Sequence, residues 1–159
     1  MMIALPRRLV EEARKRGLDV EREVLTHLIK ALSLDPVAEA EVHGELASRY
    51  FEEGKGLVEK DPVQACEKLY KAAEERVKEL AMRFDLKEVL SRVEEKGRWT
   101  AAELERAVLL ISRRVGGWFR ESWDAAWALH VWGVHEAKFG REDVEERLSA
   151  IEKMVRFRP

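Results

Sequence analysis

Apolar residues return every three or four positions along most of the chain, the spacing of an amphipathic helix and not the alternation of a strand. Pro6 suits the first turn of a short helix, with Leu9, Val10 and Ala13 following at helical spacing and Gly17 as its C-terminal cap. Asp19 is placed to cap a second helix, whose stripe runs Val20, Val24, Leu28, Ile29 and Leu32. Two Asp-Pro pairs, Asp35-Pro36 and Asp61-Pro62, each open a longer helix. In both, the aspartate can accept first-turn amides, and the proline sits where a missing N–H costs nothing. The first long stripe is Val37, Ala40, Gly44, Ala47, Phe51, Gly54 and Val58, and the second is Ala65, Leu69, Ala72, Ala73, Val77, Leu80 and Phe84. An interior glycine costs about 1 kcal/mol of helix propensity relative to alanine. The glycines of the first stripe therefore predict close approach by a neighbouring helix, and the short connection makes the two long helices an antiparallel hairpin at the centre of the fold.

Beyond the hairpin, Leu86 to Glu95 reads as a shorter helix stopped near Gly97. Thr100 and Glu103 are spaced as a capping box ahead of Leu104, Ala107, Val108 and Ile111. Gly116-Gly117 breaks the chain. Trp118 to Phe139 then reads as one helix, and Asp143 to Val155 as the last, with Val144, Leu148, Ile151 and Val155 on its apolar face. Residues 2–5 are the only candidate strand. The expectation is one all-α domain: an antiparallel bundle over residues 34–159, preceded by a helical extension over 1–33.

Composition sharpens this picture. Of the 159 residues 46% are hydrophobic and 38% charged, which suits a compact, well-solvated globule, and a net charge of −2 does not describe an electropositive nucleic-acid binder. The chain has no Asn, one Gln (Gln64) and two Thr (Thr26 and Thr100), with Glu, Lys and Arg filling the polar surface. Depletion of amides with enrichment of ion-pairing residues is the composition of proteins from hot environments. The single cysteine, Cys66, has no partner for an internal disulfide and lies among apolar helical positions, which predicts a buried, inert thiol. No apolar run is long enough to cross a bilayer, and a cytoplasmic protein is expected.

Candidate chemistry is sparse. His130 and His135 lie five residues apart, which turns them about 140° from each other on an α-helix, whereas a shared metal would want a four-residue spacing. No metal site is therefore expected, and nothing calls for a cofactor. His130, His135 and Glu136 remain the candidate acid–base residues of an enzyme. Arg113 and Arg114, just before the double glycine, are the candidate phosphate contacts. Trp118, Trp123, Trp127 and Trp132 crowd one helix over so much of its circumference that several neighbours, or a neighbour and a second subunit, must cover it. They are expected in the core or an interface. Phosphate-loop, nucleophile-elbow and cysteine–histidine signatures are all absent.

Three blocks in order resemble the archaeal PaREP1 (PaREP1/PaREP8) family: Asp61 to Glu75, Gly97-Arg98-Trp99-Thr100, and Leu129-His130-Val131-Trp132-Gly133-Val134-His135-Glu136. The resemblance spans about Leu5 to Val155 and implies a HEPN-like helical bundle. That superfamily includes RNA-cleaving toxins and non-catalytic partners of small nucleotidyltransferases. Its catalytic members carry an arginine four to six residues before a histidine. Here those offsets hold Trp123, Asp124 and Ala125 before His130, and Ala128, Leu129 and His130 before His135. The resemblance thus implies the fold without the nuclease pattern. Three readings follow. The first is a non-catalytic, homodimeric interaction module working with a nucleotidyltransferase-like protein or RNA. The second is an RNA- or nucleotide-processing enzyme using His130, His135 and Glu136. In the third, Ile3 to Lys30 resembles the strand–helix–helix of ribbon-helix-helix DNA binders, although its short strand offers no polar side chain to read base edges.

Overall fold

A computed structural model describes all residues, 1–159. It is helical throughout, with no strand, and divides into two compact units, Met1–Asp35 and Pro36–Pro159. The sequence pattern places a boundary between residues 33 and 34.

The first unit holds α1 (Arg7–Lys15) and α2 (Val20–Leu32). Gly17 adopts a left-handed φ of 70°, and the N–H of Leu18 donates to the Ala13 carbonyl at 3.0 Å, so α1 ends in a Schellman turn as its glycine predicts. Asp19 caps α2 by accepting from the Arg22 N–H at 3.2 Å. Neither helix buries a residue. The candidate strand over residues 2–5 does not form, and the chain before α1 has no regular structure. With no hydrogen-bonding neighbour strand, an isolated extended tetrapeptide has nothing to pair with.

The second unit is built on α3 (Pro36–Leu57) and α4 (Pro62–Arg83), joined through residues 58–61. Asp61 accepts from the Gln64 N–H at 3.1 Å, completing the Asp-Pro start of α4. A Cβ placed on Gly54 would lie 2.8 Å from Leu69 Cγ, and one on Gly44 would lie 2.9 Å from the Glu79 carboxylate. Ten residues back along α3 is thus ten residues forward along α4: the helices are antiparallel, and the glycines permit their contact.

The remaining elements are α5 (Lys87–Lys96), α6 (Ala101–Val115), α7 (Trp118–Ala128), a π-helical segment (Leu129–His135) and α8 (Arg141–Arg156). The α6 stripe of Leu104, Ala107, Val108 and Ile111 is buried in full, as are Val144 and Ile151 of α8. Each fully buried aliphatic or aromatic side chain contributes about 1.5–3 kcal/mol by leaving water. Helix α4 touches every other helical element of this unit, which makes it the axis of the bundle.

Two local expectations are corrected. Thr100 and Glu103 do not form a reciprocal capping box: the Thr100 hydroxyl donates to the Glu103 carboxylate, which Lys96 also grips at 2.6 Å. A lysine at the end of α5 attracts the carboxylate more strongly than a neutral backbone amide does. The tryptophan-rich helix also stops short of Phe139. It widens into a π turn from Leu129 and ends at His135, and Ala137 has a left-handed φ of 49°.

Candidate functional site

The π turn changes what the histidine spacing means. On an α-helix residues five apart point away from each other, but the i→i+5 hydrogen bonds of a π turn bring them to the same side. The Glu136 N–H donates to the Val131 carbonyl at 3.0 Å in that pattern. Nε2 of His130 and Nε2 of His135 consequently lie 3.0 Å apart, with ring centroids at 4.4 Å and planes at 79°. Tyr70 of α4 stacks on His130 at 4.1 Å and 19°, and Trp127 lies 5.3 Å from it. His130 is half-buried and His135 exposed, so the pair is anchored on one side and open on the other. Gly133, inside the same turn, presses on α4: a Cβ there would lie 2.7 Å from Cys66 Cβ. Cys66 is buried, and burial pushes its thiol up to about 11, leaving it protonated and inert at neutral pH.

The other candidates are elsewhere or differently engaged. Glu136 is exposed, and its carboxylate pairs with Lys138 at 4.0 Å. Arg113 and Arg114 line a shallow cavity of about 350 Å³ with Asp85, Leu86, Lys87, Glu88 and Leu110. Arg114 donates to the Phe84 carbonyl at 3.0 Å, capping the end of α4, and acids share the cavity wall. Trp123 is fully buried and its indole N–H donates to Glu105 at 2.7 Å. Trp118, half-buried, donates to the Val115 carbonyl at 2.9 Å and packs edge-on against Phe119 and Phe157. Trp127 is half-buried against Tyr70 and Trp123. Trp132 differs: 47% of it is exposed, with the Lys138 ammonium 5.6 Å from its ring.

Sequence reasoning missed a cluster of charges inside α4. Glu74, Glu75, Arg76, Lys78 and Glu79 are all buried, as is His43 of α3. His43 Nδ1 meets Glu75 at 2.5 Å, and Lys78 bridges Glu75 at 2.8 Å and Glu74 at 3.0 Å. Burial opposes charge on both His43 and Glu75. Hydrogen bonds to Glu39 and Glu75 nevertheless raise the His43 pKa, while Lys78 and His43 hold Glu75 down to about 2. Both partners thus favour the ion pair. Arg76 forms a second knot: it bonds Glu79 and donates to the Met154 carbonyl at 3.0 Å and to the Phe157 carbonyl, tying the C-terminal segment to α4. Arg83 joins at 2.7 Å from Glu79. This knot floors an open cleft of about 650 Å³ rimmed by Glu41, Glu45 and Arg158. The heptad-like stripe of α4 gave no sign of it. The usable signal was Gly44, whose missing side chain makes room for the Glu79 carboxylate.

No helix is long and apolar enough to cross a membrane. No curated protein matches the chain. Among solved structures, a crystal structure of a Sulfolobus solfataricus protein, target SsR10, is 39% identical. The match covers 69% of this chain and 90% of that one with a TM-score of 0.65. A solution structure of target SsR10 is 40% identical over 69% of this chain and 85% of that one, with a TM-score of 0.62. The family model described as the archaeal PaREP1/PaREP8 family matches residues 42–155, which leaves the unit of α1 and α2 outside it. With blocks around α4 and the π turn that the sequence already singled out, the chain belongs to the archaeal PaREP1/PaREP8 family.

Proposed function

We propose that this chain is a non-catalytic helical interaction module, HEPN-like in fold, cytoplasmic and homodimeric, that docks a protein partner through the surface beside the π turn. The observation that carries this reading is Trp132. The other three tryptophans of the same stretch are fully or half buried among their own chain's side chains, whereas Trp132 is half exposed within the one turn that departs from α-helical geometry. A tryptophan held at the surface is the residue type that most often anchors a protein interface. The cations that follow in sequence are matched by acids: Lys138, beside the Trp132 ring, by Glu136, and Arg141 by Glu145 and Glu59. That balance suits a protein surface better than a phosphate backbone, which rewards uncompensated positive charge. The dimer is supported by the first unit, where α1 and α2 bury nothing and leave Leu5, Leu9, Leu28 and Leu32 exposed. The amide-poor, ion-paired composition fits an organism of hot environments.

The test is affinity capture of the tagged chain from its own cells, with nuclease treatment, comparing wild type with Trp132→Ala. A nuclease-resistant partner that is lost with Trp132→Ala, while the melting temperature is unchanged, is the expected result. Equal recovery with both proteins, or recovery of RNA alone, overturns it. A monomer in light scattering overturns the dimer. One observation favours a second reading, in which His130, His135 and Glu136 process RNA or a nucleotide: the π turn pairs the two imidazole rings. That reading predicts a cleavage or transfer activity abolished by His135→Ala at unchanged stability.

A further inference from the structure

We propose that His130 and His135 chelate one late first-row divalent cation through their Nε2 atoms, with Cu2+ or Ni2+ held in preference to Zn2+. The ring geometry points to this independently of the interaction-module reading. An N–H···N hydrogen bond between imidazoles wants the donor and acceptor axes nearly collinear, which at this nitrogen separation would set the ring centroids about 5.3 Å apart. The observed centroid separation is 4.4 Å with the nitrogens at 3.0 Å, so the rings are bent well away from that axis. Two imidazoles bound cis to one ion, each about 2.1 Å from it, would show nitrogens about 3.0 Å apart and centroids about 4.6 Å apart. A tetrahedral zinc ion would spread the nitrogens to about 3.4 Å. The pair as it stands matches the roughly right-angled bite of a tetragonal or octahedral site.

The surroundings favour the same use. Tyr70, stacked on His130, and Trp127 beside it hold one ligand in place, so chelation orders only the exposed His135. Imidazole is the preferred donor for Cu2+, Ni2+ and Zn2+ among the side chains present at this turn. No group of three or more His, Cys, Asp or Glu ligands converges anywhere in the chain, so water or an incoming ligand completes the coordination shell. Such a site holds an exchangeable ion and leaves positions open. Protons compete with the ion for both imidazoles, so the affinity falls as the pH is lowered.

The experiment uses the full-length protein, purified without a polyhistidine tag and titrated calorimetrically with Cu2+, Ni2+ or Zn2+ at about pH 7.5 and about pH 5.5. The Cu2+ complex is also examined by electron paramagnetic resonance. The expected result is one equivalent of Cu2+ bound with coupling to two imidazole nitrogens, weaker at the lower pH and weaker for Zn2+. Affinity should drop about tenfold or more in His135→Gln and stay unchanged in His27→Gln, which alters the other exposed histidine. His135 is exposed, so that variant keeps the fold; His130→Gln, packed on Tyr70, is a supporting variant checked by its melting temperature. Binding that survives His135→Gln undiminished, a single-nitrogen spectrum, tighter binding of Zn2+ than of Cu2+, or no binding at all overturns the proposal.

Discussion

Two glycines of α3 only two residues apart should respond to the same substitution with opposite signs. Gly56 has nothing within 4 Å of the position a Cβ would occupy, so Gly56→Ala gains helix propensity at no steric cost. Near the end of α3 the gain is about 0.5–1 kcal/mol. At Gly54 the added Cβ would stand 2.8 Å from Leu69 Cγ, 3.0 Å from its Cδ2 and 3.1 Å from its backbone nitrogen. Leu69 is fully buried and cannot swing aside, and its backbone can move only if α3 and α4 separate. Overpacking of this kind costs about 1–3 kcal/mol, which outweighs the propensity gain and leaves Gly54→Ala less stable by about 1–2 kcal/mol. For a chain of this size that lowers the melting temperature by about 2–8 °C, while Gly56→Ala raises it by about 1–4 °C. Guanidinium unfolding followed by circular dichroism and by tryptophan fluorescence is the assay, with coincident curves as the check on two-state behaviour. A Gly54→Ala protein as stable as wild type, or two variants that shift the same way, would refute the close-contact account of the hairpin.

Three further outcomes follow from the buried network. Lys78→Met leaves Glu74 and Glu75 facing each other without their shared cation and should cost about 3–5 kcal/mol by the same denaturation assay; a loss below about 1 kcal/mol would show that these carboxylates do not depend on it. Glu75 and Glu103 are both held down to about 2, Glu75 with burial opposing Lys78 and His43, Glu103 by Lys96 and Thr100. Their stabilisation is therefore complete above about pH 4.5 and drains away as the pH falls from there towards 2, so a melting temperature flat from pH 5 to pH 2 would contradict the assignment. His43 has the opposite sign. Its folded pKa is raised, so its contribution is complete below about 6.5 and disappears as the pH climbs through the folded value. A His43→Gln variant should consequently lose less stability on the alkaline side than wild type does.

What the sequence made legible was whatever depends on local spacing. The left-handed Gly17 and Gly97, the Asp19 and Asp61 caps, the α6 stripe and the contact role of Gly44 and Gly54 all follow from a residue and its near neighbours along the chain. The charges of α4 were not legible for a geometric reason. Helical periodicity reports which side of a helix is apolar, and it is blind to how many neighbours surround the helix. Because α4 is contacted by all the other helices of its unit, even its polar side is enclosed, and Glu74, Glu75, Lys78 and Glu79 look like a solvated face only until that enclosure is known. The histidine pair was hidden by an assumption about pitch. The 140° separation of His130 and His135 holds for 3.6 residues per turn, and it fails where Leu129–His135 is wound as a π turn.

These two departures lead to different kinds of chemistry. Around α4, Lys78 and His43 face Glu74 and Glu75, and Arg76 and Arg83 share Glu79, so the buried charged groups are paired within the fold. Every buried side-chain nitrogen and oxygen of the chain has a hydrogen-bond partner. Charges engaged in this way resist proton transfer, because moving a proton or a partner would leave an ion stranded in a low-dielectric interior. Arg76 shows the structural use: it holds the backbone at Met154 and Phe157 against α4 across nearly half the chain. At the π turn the constraint is the reverse. Packing fixes Tyr70 against His130, but the pair is open to solvent on its His135 side, where an imidazole nitrogen exchanges partners with water at little cost. Groups that can change partners are the ones available to bind a ligand, an ion or another protein. The docking and ion-binding roles proposed above both use the surface around His130, Trp132 and His135, whereas the charged centre of α4 is engaged in ion pairs and backbone contacts of its own.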